Sequence, residues 1–488
     1  MSTIDRRSFL QAAGAAGAAA LLPRSALASK PQITAGKADS VIYIWLPGGI
    51  AQTDTWDPKQ HTPFQAGMKG SDLLGTCKPI PTAADGIFLG EGLEEIASVM
   101  DRGAIVRSLT SDTKFGAIHL KAQYYASTGY LFPAGVKAPS IGAVVARSLG
   151  RRHKDIPPYI YVGRDIDTSD EEKLFISEYL GPGFYGVGYA PFMIPDPAKG
   201  VATLSAVGGM RPERLDRRQA YLRAISGLTE RELREANKVQ DYLKVMDDAR
   251  AMMDSPVKRA FRLEEEKPET LAAYQPQAGR YDVQDQSYYY GNRFGNGLLL
   301  ARRLVESGAR FVQVEYQYGP FKGFDMHENG FSRMAEMKRQ IDRPIAQLIR
   351  DLDQRGLLDR TLVVIATEFG RTIASQPAAG VEPDGFAERH TGDTLVIENE
   401  RMYGFHGHFS STNCMLFFGG GFKRGLAYGT TADRHPMLPV EHPVRLIDLL
   451  ATMYKALGIP PDWSYETEGR PFYVTNNGKG QAIGALLA

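Results

Sequence analysis

The run Ser40–Leu46 reads SVIYIWL and stops at Pro47-Gly48-Gly49. It carries no charge and is rich in β-branched and aromatic side chains, which predicts a strand buried on both faces. Such a strand needs cover on both sides. Further strand-like runs stand at Ala104–Leu109, Tyr159–Val162, Arg310–Tyr316, Leu362–Ala366 and Asn413–Phe418, the first and third of them carrying charge at Arg107, Arg310 and Glu315. Between them lie stretches of helical spacing: Ala117–Ser127 closed by Thr128-Gly129, a helix starting near Pro139-Ser140, then Asn292–Glu306, Phe331–Arg355 and Pro443–Leu457. Strands alternating with helices in this way predict a three-layer α/β/α sandwich with a mostly parallel central sheet.

Composition removes several classes of function. Among 488 residues, 57 are basic and 56 acidic, a formal net charge of +1, so the whole chain has no electrostatic reason to bind nucleic acid or an anionic membrane. Two cysteines, Cys77 and Cys414, cannot build a disulfide scaffold or a multi-cysteine metal framework.

The amino end, Ser2–Ala28, pairs Arg6 and Arg7 ahead of a weakly hydrophobic Ala/Gly/Leu run and ends in Ala26-Leu27-Ala28, the small-x-small pattern of a signal-peptidase site. It resembles a twin-arginine export signal. The run from Phe9 to Leu22 is too short and too glycine-diluted for a stable membrane anchor. The expected organisation is therefore a signal peptide at 1–28 and one α/β domain at 29–488. A charged helical insertion at about 165–285, with charges alternating in sign, reads as a solvated face. The expected location is the periplasm or beyond, with the twin-arginine export machinery as a partner.

In an open parallel sheet, ligands bind beyond the carboxyl ends of the strands. Polar residues just after the expected strands are Asp54 and Asp57, His119, Asp325 and His327, and Glu368 and Arg371, while His406 and His408 precede the Asn413 run. Carboxylates and imidazoles arriving from separate segments are what a divalent metal site requires. Each also has a plainer reading. Asp57 before Pro58 fits an Asx turn, Asp325 and His327 fit capping of the long helix, Glu368 fits an ion pair with Arg371, and His119 fits a buried core histidine.

The segments GGIAQTDTWDPK, RSLTSDTKFGAIHLKAQYYASTG, LLLARRLVESGARFVQVEY, FDMHENGF, DRTLVVIATEFGRT and HGHFS through GGGFKRG resemble domain of unknown function 1501. This is a family of exported bacterial proteins grouped with sulfatase-like and alkaline-phosphatase-like enzymes. The resemblance covers almost the whole mature chain and implies the alkaline-phosphatase-like fold. It also implies metal ligation by Asp54, Asp325, His327, Glu368 and His408. Glu368-Phe369-Gly370 stands where the superfamily has Asp-His-Gly, so Phe369 removes one imidazole. Where phosphatases and sulfatases carry a Ser, Thr or modified Cys nucleophile, counting back from Thr128 falls on His119. The sulfatase signature is echoed only by Cys77-Lys78-Pro79-Ile80-Pro81, which lacks its Arg, so formylglycine formation is rejected.

Two mechanisms follow. His119 attacks the phosphorus or sulfur centre itself, or it serves as ligand or base while a metal-bound water of pKa ~7 attacks. The second asks nothing unusual of an imidazole and is favoured. Arg371 is expected to hold the anionic ester through a fork of hydrogen bonds, with Lys59 a weaker candidate. The leading expectation is a hydrolase of sulfate or phosphate esters, small or on glycans, using Zn, Mn, Mg or Ca. The competing expectation is a catalytically inactive envelope binding or assembly protein. A phosphoryl-group mutase outside the cell is a weaker third.

Overall fold

The protein is described by a computed structural model covering residues 32–110, 118–132, 136–163, 178–199, 255–277, 291–316, 323–373, 395–467 and 469–488, with isolated positions between 213 and 252. The export signal at 1–28 lies outside the described residues.

The first apolar run becomes β1, Ser40–Trp45, with every residue buried. Successive side chains of a strand point to opposite faces, and both faces here are covered. Ile42 and Ile44 belong to one core with Leu298, Leu299, Ile341 and Ile345. Val41, Tyr43 and Trp45 belong to a second core with Val144, Leu449 and Tyr454. The two cores lie on opposite sides of one sheet, which makes the fold three layers.

The other strands of the large sheet and of the site are β2 Gly103–Thr110, β3 Tyr159–Val162, β4 Phe192–Ile194, β5 Phe311–Glu315, β6 Thr361–Ala366, β7 Gly370–Ile373, β8 His406–Phe409, β9 Asn413–Phe418, β10 Leu426–Tyr428 and β11 Val444–Arg445; short two-stranded ribbons lie outside them. The nine-stranded sheet runs β10-β2-β9-β6-β1-β5-β3-β4, with β11 beside β2. β7 and β8 form a separate antiparallel ribbon. All neighbours in the large sheet are parallel except those of β9, which runs antiparallel to both β2 and β6. That reversal puts the start of β9, rather than its end, at the carboxyl edge of the parallel strands.

Among the described residues the longer helices are α1 His119–Thr128, α2 Ile141–Leu149, α3 Gly291–Glu306, α4 Gly330–Gln354 and α5 Leu446–Ala456. Their ends follow local chemistry. Ser140 caps α2 by accepting from the Ala143 N–H at 3.3 Å. Gly129 ends α1 in the left-handed region at φ 73, its N–H donating to the Tyr125 carbonyl at 2.8 Å. α3 and α4 supply the first core, and α1, α2 and α5 the second.

The expected elements thus appear with ends shifted by a few residues. The insertion expected at 165–285 lies largely outside the described residues. Its described part contributes β4, which extends the sheet beside β3 and is only three residues long, too short to show a period. β10 and β11 escaped notice for the same reason.

β1, β5 and β6 finish level: Trp45 lies opposite both Glu315 and Ala366. The chain leaves β1 through Gly48 and Gly49, with φ of 116 and 76. A Cβ on Gly49 would stand 2.4 Å from Phe369 Cε2, whereas Gly67, at φ 84, has open space around it. Gly49→Ala is therefore expected to destabilise the protein by ~1–3 kcal/mol for the backbone alone, with the clash added. Urea denaturation should show a larger loss for Gly49→Ala than for Gly67→Ala.

Candidate metal centre

Four segments meet beyond the ends of β1, β5 and β6. They are the Gly48-Gly49 turn, the stretch Phe324–His327 after β5, the stretch Thr367–Arg371 after β6, and β8. α1 adds His119 from its first residue.

Arg371 ties the first three together. Its side chain is 0% exposed. Nε donates to the Gly49 carbonyl at 2.7 Å, and the two terminal nitrogens donate to the carbonyls of Gly48 and Met326 and to Asp325 Oδ1. Its backbone is gripped as well: Gln52 Oε1 accepts from the Arg371 N–H at 2.9 Å and Gln52 Nε2 donates to the Arg371 carbonyl at 3.1 Å. Arg371 was expected to hold an anion, and its guanidinium is already engaged in the structure. Its guanidinium is spent on carbonyls and on Asp325, and it faces the protein interior instead of an open space.

Asp325, 2% exposed, is the focus of the site. His327 Nε2 lies 3.0 Å from its Oδ1, His119 Nε2 3.2 Å and His408 Nε2 3.7 Å. Burial by itself would raise the Asp325 carboxyl, but the bonds from His119, His327 and His408 reverse this and hold it far below the usual carboxylate range. Burial pushes His408 down to about 4 and lowers His327 as well. At His119 burial pulls the same way and is outweighed by the bonds to Asp325 and Glu368, so its pKa is raised.

Glu368 stands behind His119 rather than beside Asp325. Its Oε1 lies 2.8 Å from His119 Nδ1 and accepts from the Gly48 N–H at 2.8 Å and from Gln123 Nε2 at 3.3 Å. An ionised carboxylate only accepts, so Nδ1 carries the proton and Nε2 is turned into the site. Phe369 packs its ring 4.9 Å from that of His119 and 4.8 Å from that of His408, centroid to centroid. It closes one wall with an apolar surface.

Asp54 is not brought into this group. Its Oδ1 accepts from Thr76 Oγ1 at 2.6 Å, and its Oδ2 lies 3.3 Å from His406 Nε2. Asp57 and Lys59 form a further polar cluster, 3.5 Å apart, with Lys59 also 3.1 Å from Asp433. The Cys77 and Cys414 thiols are both free. The plainer readings fare unevenly. Asn329 holds the cap position of α4, so Asp325 and His327 do not cap it, and Glu368 bonds to His119 and not to Arg371.

One donor atom from each of His119, Asp325 and His408 lies within 4.8 Å of the others. The two Nε2 atoms of His119 and His408 are 3.0 Å apart. Bonds of ~2.0–2.1 Å at tetrahedral angles place donors roughly 3.3–3.4 Å from one another. The three separations bracket that value, and a carboxylate behind a histidine ligand is the usual support of such a site. The residues therefore fit a divalent ion. Side-chain exposures of 16% for His119, 24% for His408 and 27% for His327 mark the open side.

Comparison with known families matches residues 38–487 to the protein family of unknown function DUF1501. The chain belongs to this family. Residues 3–23 match the twin-arginine translocation pathway signal sequence, so the chain is exported to the periplasm or the extracellular space. Among the described residues, no helix is long and apolar enough to cross a membrane. Comparison with curated protein sequences gives no match.

Similar solved structures include three from bacteria. The lipoteichoic acid synthase LtaP of Listeria monocytogenes is 9% identical, with 92% of this chain and 79% of that one covered and a TM-score of 0.34. The PsFucS1 sulfatase of Pseudoalteromonas sp. is 10% identical, with 91% and 73% covered and a TM-score of 0.35. The alkaline phosphatase of the Antarctic bacterium TAB5 is 10% identical, with 81% and 95% covered and a TM-score of 0.31.

In this family member, three contributors went unread in the sequence: Gln52, Gln123 and Arg333. Gln52 and Gln123 carry no motif, and only their hydrogen bonds reveal them. Arg333 lies half-buried in the first turn of α4, shortly after His327.

Replacing Arg371 by Met would take the donor from the carbonyls of Gly48, Gly49 and Met326 and remove the guanidinium partner of Asp325. Breaking a buried pair in this way costs ~3–5 kcal/mol. The unfolding midpoint in urea should fall accordingly, while Arg401→Met, at an exposed pair with Glu328, should leave it unchanged.

Proposed function

We propose that this exported protein is a metal-dependent hydrolase of sulfate or phosphate esters. The observation that supports it is the convergence of His119 Nε2, His408 Nε2 and Asp325 Oδ1 at the open end of a parallel sheet. A scaffold has no use for three buried or half-buried titratable groups crowded on one carboxylate oxygen, because desolvating them is costly. A ligand-binding centre does.

Held there, a divalent ion supplies Lewis acidity toward an ester oxygen and toward water. The protein's own residues do the rest. Glu368 keeps a proton on His119 Nδ1, so that loss of the proton on Nε2 would leave that nitrogen free for the ion. Arg371 fixes Asp325 and stays out of the substrate space. His327, the most exposed of the three imidazoles, is placed to give or take a proton at Nε2 as the ester opens. Arg333, half-buried in the first turn of α4 shortly after His327, would hold the ester anion. Phe369 excludes water from one flank. In this scheme His119 is a ligand, and direct attack by His119 is the second choice. The engagement of both its ring nitrogens, Nδ1 by Glu368 and Nε2 by Asp325 and His408, favours the ligand role.

Elemental analysis of the purified mature protein is expected to give about one divalent ion per chain, lost in His119→Ala and His408→Ala. Turnover of aryl phosphate or aryl sulfate esters should disappear with the ion and return when it is restored. Folded protein that takes up no ion would refute the hydrolase and favour the envelope binding protein. An ion present with neither ester turned over would do the same for ester hydrolysis alone. Arg333→Ala, assayed on the ester that is turned over, should raise KM about tenfold or more, the effect of losing a charge-assisted contact worth ~1.5–3 kcal/mol.

A further inference from the structure

The ribbon β7–β8 poses a mechanical problem. It carries Arg371 and His408 as a directly opposed cross-strand pair, both aimed at Asp325, yet it is a two-stranded ribbon outside the large sheet. Two strands of four residues are marginal by themselves. A metal-binding imidazole needs to be held within about half an ångström. Something else has to fix the ribbon.

The short helical turn Gln52–Asp54 after β1 does so at both strands. Gln52 bonds the Arg371 N–H and carbonyl, at 2.9 and 3.1 Å, and so holds β7. Asp54, two residues on, faces His406 of β8 with its Oδ2 3.3 Å from Nε2. His406 and His408 are two apart in a strand and so share one face. Both Asp54 and His406 are 1% exposed. The His406 N–H donates to the His327 carbonyl at 3.1 Å. Its ring is pressed against α4, where a Cβ on Gly330 would stand 2.6 Å from Cε1. Asp54 is itself anchored, by Thr76 Oγ1 on its side chain and by Lys338 Nζ on its carbonyl at 3.0 Å.

We infer that Asp54 and His406 are positioning residues that set where His408 stands in the metal centre, and that Asp54 is not a ligand. The inference rests on the metal reading of His119, Asp325 and His408. It differs from what the family resemblance implies, which makes Asp54 a ligand of the ion.

The test uses the full mature protein loaded with Co(II). Its affinity is measured by competition with a chelating dye and its geometry by the visible absorption of the bound cobalt. Asp54→Asn and His406→Gln are each expected to keep about one cobalt per chain, bound roughly 10–100-fold more weakly, with a shifted visible band. Thr76→Val, which leaves the Asp54 carboxylate in place but loosens it, should move both readouts in the same direction by less. His408→Ala should lose the ion altogether.

Asp54→Asn with unchanged affinity and spectrum would overturn the inference, as would folded Asp54→Asn protein that binds no cobalt, since a ligand behaves that way. If Asp54→Asn fails to fold by circular dichroism, Thr76→Val decides by the same two readouts. Wild-type protein that binds no cobalt would instead bring down the metal reading itself.

Discussion

A single buried cation organises this end of the molecule. Arg371 takes its place among carbonyls that would otherwise be unpaired at the ends of a parallel sheet, and it bonds Asp325 in the same act. Removing a guanidinium from water is expensive unless its donors are met with good geometry. Here Nε and both terminal nitrogens are met by groups from two different loops. The Gly48-Gly49 turn, the Asp325 stretch and the segment after β6 are therefore one unit. The left-handed glycines are a requirement of that unit, because a side chain at position 48 or 49 would push the turn out of reach of the guanidinium.

Around this unit the site is built from imidazoles more than from carboxylates. Among the described residues, Asp325 is the acidic group that meets the imidazoles directly, and Glu368 acts one step behind through His119. An apolar ring at Phe369 fills the flank. No hydroxyl nucleophile opens α1, and the group there is drawn into the centre by Glu368 on one side and Asp325 on the other. The donors gathered there are therefore mainly nitrogen.

Much of the layout was legible in the amino-acid order. Ser40–Trp45, Thr361–Ala366 and Asn413–Phe418 announce themselves as unbroken apolar runs, and the convergence of His119, Asp325, His327, Glu368 and His408 follows from the rule that sites form at the carboxyl edge of parallel strands. Three things were hidden. The direction of β9 depends on pairing between distant segments, which no local pattern records. The orientation of Arg371 depends on carbonyls from residues far away in the chain. Asp54 and Asp325 look alike in sequence, each a polar residue just past a buried strand, and only the neighbours that fold beside them decide that one meets His406 and the other meets three imidazoles. Short elements such as β4 and β11 carry too few residues to reveal a period.

The reversal of β9 also decides how the ribbon is joined to the rest of the chain. Because β9 starts at the site edge, the chain between the two ribbon strands, residues 374–405, leaves from that edge and returns to it. Each ribbon strand is fastened from below by Gln52 and Asp54. The described end of the intervening segment is held by the body of the protein and not by the ribbon: Ile397 pairs with Met68, and the Tyr403 hydroxyl donates to the Thr62 carbonyl at 2.7 Å. The chain is thus already fixed in place before it enters β8.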